Sequence, residues 1–120
     1  MRSFIITLIL FFTVISIIAI NSLYIQETTD TLILYANDEE FKKAPTDALE
    51  RLESFWDKNR LLIEFSVSCK EVDRMSELIL DLGECIKASN TDEATRIRAL
   101  IADCAKDISR LERISIENLL

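Results

Sequence analysis

Three cysteines, Cys69, Cys85 and Cys104, are the side chains best suited to covalent or metal chemistry. Histidine is absent from the chain, which removes the commonest general base and the commonest metal ligand. No two cysteines have the close spacing that zinc sites require. The cysteine pattern therefore does not indicate a metal centre.

A disulfide is also disfavoured by the helix geometry predicted below. If the last two helices turn around near residue 90, Cys104 lies opposite about position 75. Cys69 and Cys85 are then about 9 and 15 Å away along the helix axis, whereas a disulfide needs α-carbons within about 7 Å. We expect three free thiols that pack as small apolar side chains.

Carboxylates such as Glu50 with Glu53, or Asp103 with Asp107, share a helix face, but di-metal helical bundles combine such residues with histidine. Several carboxylates have a basic residue three positions later, in the pairs Asp57–Arg60, Asp103–Lys106 and Asp107–Arg110. A solvated helix face explains these pairs. With no phosphate loop or nucleophile motif present, we expect no enzymatic activity and no cofactor.

Composition excludes further classes of function and fold. The chain has 14 Lys/Arg against 21 Asp/Glu and a net charge of −7, so it should be repelled by nucleic acid. One glycine and one proline are too few for the turns of a sheet protein. Trp56, near Phe55 and Phe65, is expected in a core rather than in the wall of a ligand pocket.

The first part of the chain has the composition of a membrane helix. Residues 4–20 carry no charge, and 13 of these 17 are Phe, Ile, Leu or Val, a favourable insertion energy of roughly −4 to −8 kcal/mol. Continuing through Tyr24 and Ile25 gives about the 30 Å of a bilayer core. We predict that residues 4–25 cross a lipid bilayer.

The residues of this segment disfavour two alternatives to an uncleaved anchor. In a secretory signal, cleavage after Ala19 or Ser22 would place Ile17 or Ile20 at the −3 position, which requires a small residue. A buried core helix would have a polar face, which this segment lacks. Arg2 and the amino terminus precede the segment and mainly acidic residues follow it, so we expect a plasma-membrane protein with a cytoplasmic N-terminus and an extracytoplasmic domain.

The rest of the chain has helical periodicity. The anchor helix should continue to about Asp38, and Pro45 suits the first turn of the next helix. Capping boxes at Ser68–Glu71 and Asn90–Glu93 should open the last two helices. The predicted inward stripes are Ala48 or Leu49, Leu52, Trp56, Asn59 and Ile63; Val72, Met75, Ile79, Leu82 and Ile86; and Ala94, Ile97, Ile101, Cys104, Ile108 and Leu111.

These elements predict an all-α fold, in which an N-terminal transmembrane helix continues into an antiparallel up-down bundle of about four helices. The predicted organisation is a signal-anchor at 1–24, a bundle domain at 25–114 and a C-terminal tail at 115–120. One long coiled coil is the alternative, but the capping boxes interrupt its heptads.

Four elements resemble a known family: Tyr24-Ile25-x-x-Thr28-Thr29-Asp30; Ala48-x-x-x-Leu52-x-x-x-Trp56-x-Lys58; Glu71-Val72-Asp73; and the ending Ser115 to Leu120. Together they are similar to small, membrane-anchored proteins of clostridial spore-formers, classed only as a domain of unknown function. A histidine common before the Glu-x-Asp element of that family is absent here, where Cys69 stands nearby. The resemblance implies a bacterial plasma membrane and no established activity.

The sequence therefore predicts a tethered interaction module that binds a membrane or envelope protein. The candidate partner contacts are Ile116, Leu119 and Leu120, although this apolar tail would equally close the end of the bundle. The alternatives are a ligand-sensing bundle and a division-type coiled-coil scaffold. A sensor of the chemoreceptor kind needs a second membrane helix, which we do not expect here.

Overall fold

The fold is known from a computed structural model, which describes the backbone of residues 1–64 and 69–119 and, within these ranges, all side chains except those of residues 69, 115, 116 and 119. Every regular element in the described residues is helical. The helices are α1 (Arg2–Ala36), α2 (Glu40–Lys43), α3 (Pro45–Glu64), α4 (Cys69–Lys87) and α5 (Thr91–Leu119).

Helix α1 is continuous over 35 residues, or about 52 Å, and its two halves have different surroundings. Its apolar first half is exposed, and its first buried residue is Ile25. The hydroxyls of Thr7 and Thr13 donate to the carbonyl oxygens of Ser3 and Ile9 at 2.8 Å, so these polar groups are satisfied within the helix. Among the described residues, α1 is the one helix long and apolar enough to span a membrane.

The second half of α1 forms an antiparallel bundle with α3, α4 and α5. Helix α1 packs against α3 and α5, and α4 packs against the same two helices. Short connections between successive long helices impose the up-down arrangement. The predicted all-α bundle of about four helices, continuing from a long apolar helix, is confirmed; the four-residue α2, which packs on α3, was not predicted.

Local sequence signals account for the helix ends. Pro45 occupies the first position of α3, where its missing N–H costs nothing. The side chain of Asn90 accepts a hydrogen bond from the Glu93 backbone N–H at 3.3 Å, which confirms the Asn90–Glu93 cap. Helix α4 ends in a Schellman motif, with Ser89 at φ 56° and the Asn90 N–H bonded to the Cys85 carbonyl at 2.9 Å. Ser68 of the other predicted capping box lies outside the described residues.

The predicted stripes of α3 and α4 face the core. All residues of the α3 stripe are buried, and the α4 stripe is buried from Val72 to Leu82, with Ile86 at its edge. The indole N–H of the buried Trp56 donates to the Ser76 hydroxyl at 2.9 Å, so its one polar group is satisfied. These contacts place Trp56 in the core, as predicted.

One position of the α5 stripe was predicted wrongly. Ile97, Ile101 and Ile108 are buried, but Leu111 is 38% exposed and the neighbouring Glu112 is buried. The thiol of Cys104 lies 3.7 Å from the carbonyl oxygen of Glu71, close to the start of α4. Leu111 follows Cys104 by two helical turns, so it lies beyond the level of Cys69, where α4 begins.

The end of α5 also differs from expectation. Residues 115–120 were expected to form a separate tail, whereas α5 continues through these positions to Leu119. Glycine and proline are absent after Gly83, so no residue interrupts the helix.

We predict that Trp56→Ala lowers the free energy of unfolding by about 3–5 kcal/mol. Ile101→Asp should lower it by at least as much, because Ile101 is fully buried and the change buries an unpaired charge. Denaturant unfolding of the full-length protein in detergent micelles measures both. Leu80→Ala is the control, since Leu80 is 65% exposed; equal stability of all three variants would contradict the assigned core.

Candidate interaction surfaces

The predicted partner contacts are at the end of α5. The backbone of Ile116 and Leu119 belongs to the last turns of that helix. Their side chains, and the whole of Leu120, lie outside the described residues. The neighbouring described side chains therefore define the surface at this end of the bundle.

Hydrogen bonds set the position of α5 along α1. The Gln26 amide donates to the Ser109 carbonyl at 3.1 Å, and the Ser109 hydroxyl donates to the amide oxygen of Gln26. Eleven residues earlier in α5, the Arg98 guanidinium donates to the Ala36 carbonyl at 2.7 Å. Because α5 continues about ten residues past Ser109, roughly 15 Å of it lies level with the apolar half of α1.

A second pair sets the position of α3. The Tyr24 hydroxyl donates to the side-chain oxygen of Asn59, and the amide nitrogen of Asn59 donates to the Phe55 carbonyl at 2.8 Å. The remaining residues of α3, up to Glu64, therefore lie beside the point where the apolar half of α1 leaves the bundle. We call this end of the bundle the proximal end.

Four large apolar side chains are exposed at the proximal end. Leu61 and Leu62 of α3 are 64% and 49% exposed, and Leu111 and Ile114 of α5 are 38% and 45% exposed. We call these four residues the apolar rim. Leu61 and Leu62 were not identified from the sequence. The available signal was that both are apolar, lie off the inward stripe of α3 and are close to the end of the helix.

The opposite, distal end of the bundle is organised by Arg98. Its guanidinium donates to the carbonyls of Ala36 and Asp38, at 2.7 and 3.1 Å, and lies 4.5 Å from the centroid of the Phe41 ring. It thus satisfies the Ala36 carbonyl at the end of α1. The Asp38 carbonyl also accepts a hydrogen bond from the Phe41 N–H, at 3.2 Å. Burial lowers the pKa of Arg98, against a smaller opposing effect of Asp38.

A cleft of about 200 Å³ lies beside Arg98, with Phe41, Ile86 and Ala94 among its apolar lining residues. It is smaller than most ligand pockets, and the guanidinium on its wall is already bonded to backbone carbonyls. In the part of the chain that the structure describes, no group of three or more Cys, Asp or Glu residues is arranged to hold a metal.

Glu112 is a buried carboxyl group on α5, next to the apolar rim. It lies one turn beyond Ser109 and therefore faces α1 rather than solvent. Burial raises the pKa of Glu112 above its ordinary value. Ionisation of Glu112 is therefore less favourable in the folded protein than in the unfolded chain.

Cys104 and Cys85 are free thiols that differ in exposure. Cys104 is fully buried, and burial raises the pKa of its thiol to about 11. Cys85 is half-buried at the edge of the core. Both match the expectation of unpaired, packed cysteines, while the Cys69 side chain lies outside the described residues.

Comparison with known proteins gives one family match. The model of a domain of unknown function, DUF4363, matches residues 12–119. The match includes the second half of the apolar segment, the bundle and all of α5. No curated protein and no solved structure matches the chain significantly.

We predict that Glu112→Gln raises the melting temperature at pH 7 by a few degrees and has no effect below about pH 4. The pKa of Glu112 is raised in the folded state, so its contribution to stability is favourable at low pH and is lost as the pH rises through that pKa. Thermal unfolding of the full-length protein across this pH range measures the effect. Glu117→Gln, an exposed change on the same helix, should show no comparable pH dependence; identical profiles would contradict the prediction.

We predict three alkylatable thiols in the denatured, unreduced protein. In the folded Cys69→Ser variant, Cys104 should react at least about tenfold more slowly than Cys85, because it is buried and its thiolate is scarce. Mass spectrometry of time-resolved alkylation gives both results. Equal alkylation rates for Cys104 and Cys85 would show that this packing is wrong. A mass two units lower before reduction, which indicates a disulfide, would also show it.

Proposed function

The chain belongs to the DUF4363 family of domains of unknown function, and we propose that it is a membrane-tethered, extracytoplasmic interaction module that binds a membrane or envelope protein. The observation that carries the proposal is the continuity of α1, which is exposed and apolar in its first half and part of the bundle core in its second. A tether of this kind raises the effective concentration of the bundle toward its membrane neighbours.

The proposed location is the plasma membrane of a clostridial spore-former, with residues 4–25 in the bilayer. The family resemblance supports the organism and the membrane. The charge distribution supports the orientation: Arg2 precedes the apolar segment and acidic residues dominate the chain after it, which favours a cytoplasmic N-terminus.

We propose that the module has no catalytic activity. Several of its carboxylates form surface ion pairs with arginine, as in Glu93–Arg96, Asp107–Arg110 and Glu64–Arg60. Glu112 and Cys104, whose pKa values are raised by burial, are buried within helix packing and do not line the distal cleft. Catalytic sites instead bring perturbed groups together in an accessible cleft.

The alternatives receive less support from the structure. The helices double back into a bundle within overall dimensions of 68 × 22 × 19 Å, which differs from an extended coiled-coil scaffold. The distal cleft would suit a ligand sensor, but its modest volume limits it to a small ligand.

We predict that a cysteine at Glu84, an exposed residue of α4, is labelled by a membrane-impermeant maleimide on intact cells. A cysteine at Ser3 should be labelled only after lysis, because it precedes the membrane segment. The native cysteines are replaced in both variants. Labelling in the opposite order would reverse the proposed orientation.

We predict that a photo-crosslinking residue at Leu119 yields one discrete protein adduct in living cells. The physical reason is that this apolar end of α5 lies at the level of the membrane, where a tethered partner is concentrated. Lys106, an exposed residue on the same helix, is the matched control and should give no such adduct. The exposed residues Leu34 and Leu80 sample other faces; the absence of a protein adduct from every site would contradict the interaction module.

A further inference from the structure

We propose that the apolar rim is seated in the lipid interface, so that the proximal end of the bundle enters the bilayer surface and the bundle does not project freely from it. The ligand of this surface is the boundary between lipid headgroups and acyl chains. The inference rests on the proposed membrane location of α1, and it adds that the folded domain itself contacts lipid.

The level of the rim along α1 is the first argument. Leu61 and Leu62 follow Asn59, which bonds Tyr24, by two and three residues, or about 3 and 4.5 Å of helix. Leu111 and Ile114 follow Ser109, which bonds Gln26, by two and five residues, or about 3 and 7.5 Å. All four are displaced toward the apolar half of α1, at the level where about 20 residues of apolar helix reach the bilayer boundary.

The distribution of the rim around α1 favours a lipid surface over a protein partner. Helices α3 and α5 both pack on α1, but in the described residues no α-carbon of α3 lies within 8 Å of an α-carbon of α5. The rim is therefore divided between two separated helices at one level along the axis. The surface of a bilayer is a plane across α1, so it can contact both parts of the rim at once. A single partner helix bound in a groove would contact one continuous face.

The charges beside the rim fit the headgroup region. Arg60 precedes Leu61 directly, and Arg110 and Arg113 directly precede Leu111 and Ile114. The side chains of Arg60 and Arg110 are 45% and 68% exposed, although each is near a carboxylate. Arginines at this depth extend their guanidinium groups to lipid phosphates while their aliphatic stems cover apolar surface.

Fluorescence quenching by brominated lipids tests this placement. Full-length protein carrying Trp56→Phe is reconstituted in lipid vesicles with one new tryptophan, introduced as Leu61→Trp or Ile114→Trp. We expect lipids brominated near the headgroups to quench both rim tryptophans by at least about twofold, and lipids brominated at the bilayer centre to quench them less. The helical content and melting temperature of each variant establish that it is folded.

Three control positions distinguish an error in the proposed lipid contact from an error in the proposed membrane location of α1. Leu34→Trp and Leu80→Trp, at residues that are 73% and 65% exposed and far from the proximal end, should show no quenching. Ile9→Trp should be quenched most by lipids brominated at the bilayer centre. If Ile9→Trp is quenched and the rim tryptophans are not, the proposed contact between the rim and lipid is wrong, whereas the membrane location of α1 is retained.

Two other outcomes would also be decisive. If Ile9→Trp is itself unquenched, the membrane location and the proposed function fail together. Rim tryptophans with blue-shifted, unquenched emission that depends on the protein-to-lipid ratio would show that a second copy of the chain covers the rim, which would overturn the inference.

Discussion

The continuity of α1 is the constraint on which the rest of the structure depends. Over 35 residues the helix has no break at which its apolar half could turn relative to its core half. The bundle therefore forms around a helix whose direction is already fixed, and Ile25 and Leu32 are as much part of its core as residues of α3 or α5. A rigid connection of this kind makes the orientation of the bundle a consequence of the orientation of the apolar segment.

The unequal lengths of the helices around α1 determine which side chains are exposed and which are buried at the proximal end. Helix α5 has 29 residues and α4 has 19, and their distal ends are fixed together by the turn at Ser89 and Asn90. The surplus of α5 therefore extends beyond α4 at the proximal end. There Leu111 is exposed, while Glu112, on the side facing α1, is buried.

This geometry explains which features the sequence alone predicts. The inward stripe of α3 and the cap at Asn90 follow from spacing within one helix, and both were predicted. The exposure of Leu111 depends on where α4 begins relative to a residue about 40 positions away, which periodicity does not contain. The apolar rim is not predictable from the sequence for the same reason. Leu61 and Ile114 lie at the same level along α1 only because α3 and α5 pack against it in this register.

The polar pairs near the proximal end have a specific role in that placement. Apolar surfaces alone pack in several registers at similar energy, and α1 offers a long apolar surface along which α5 would otherwise slide. The bonds between Gln26 and Ser109, and between Tyr24 and Asn59, are satisfied in one register only, and shifting either helix by a turn would leave buried polar groups unpaired. They lie where the core half of α1 gives way to its exposed apolar half. A few hydrogen bonds thus determine where the folded bundle ends along α1, and therefore which side chains are exposed at the proximal end.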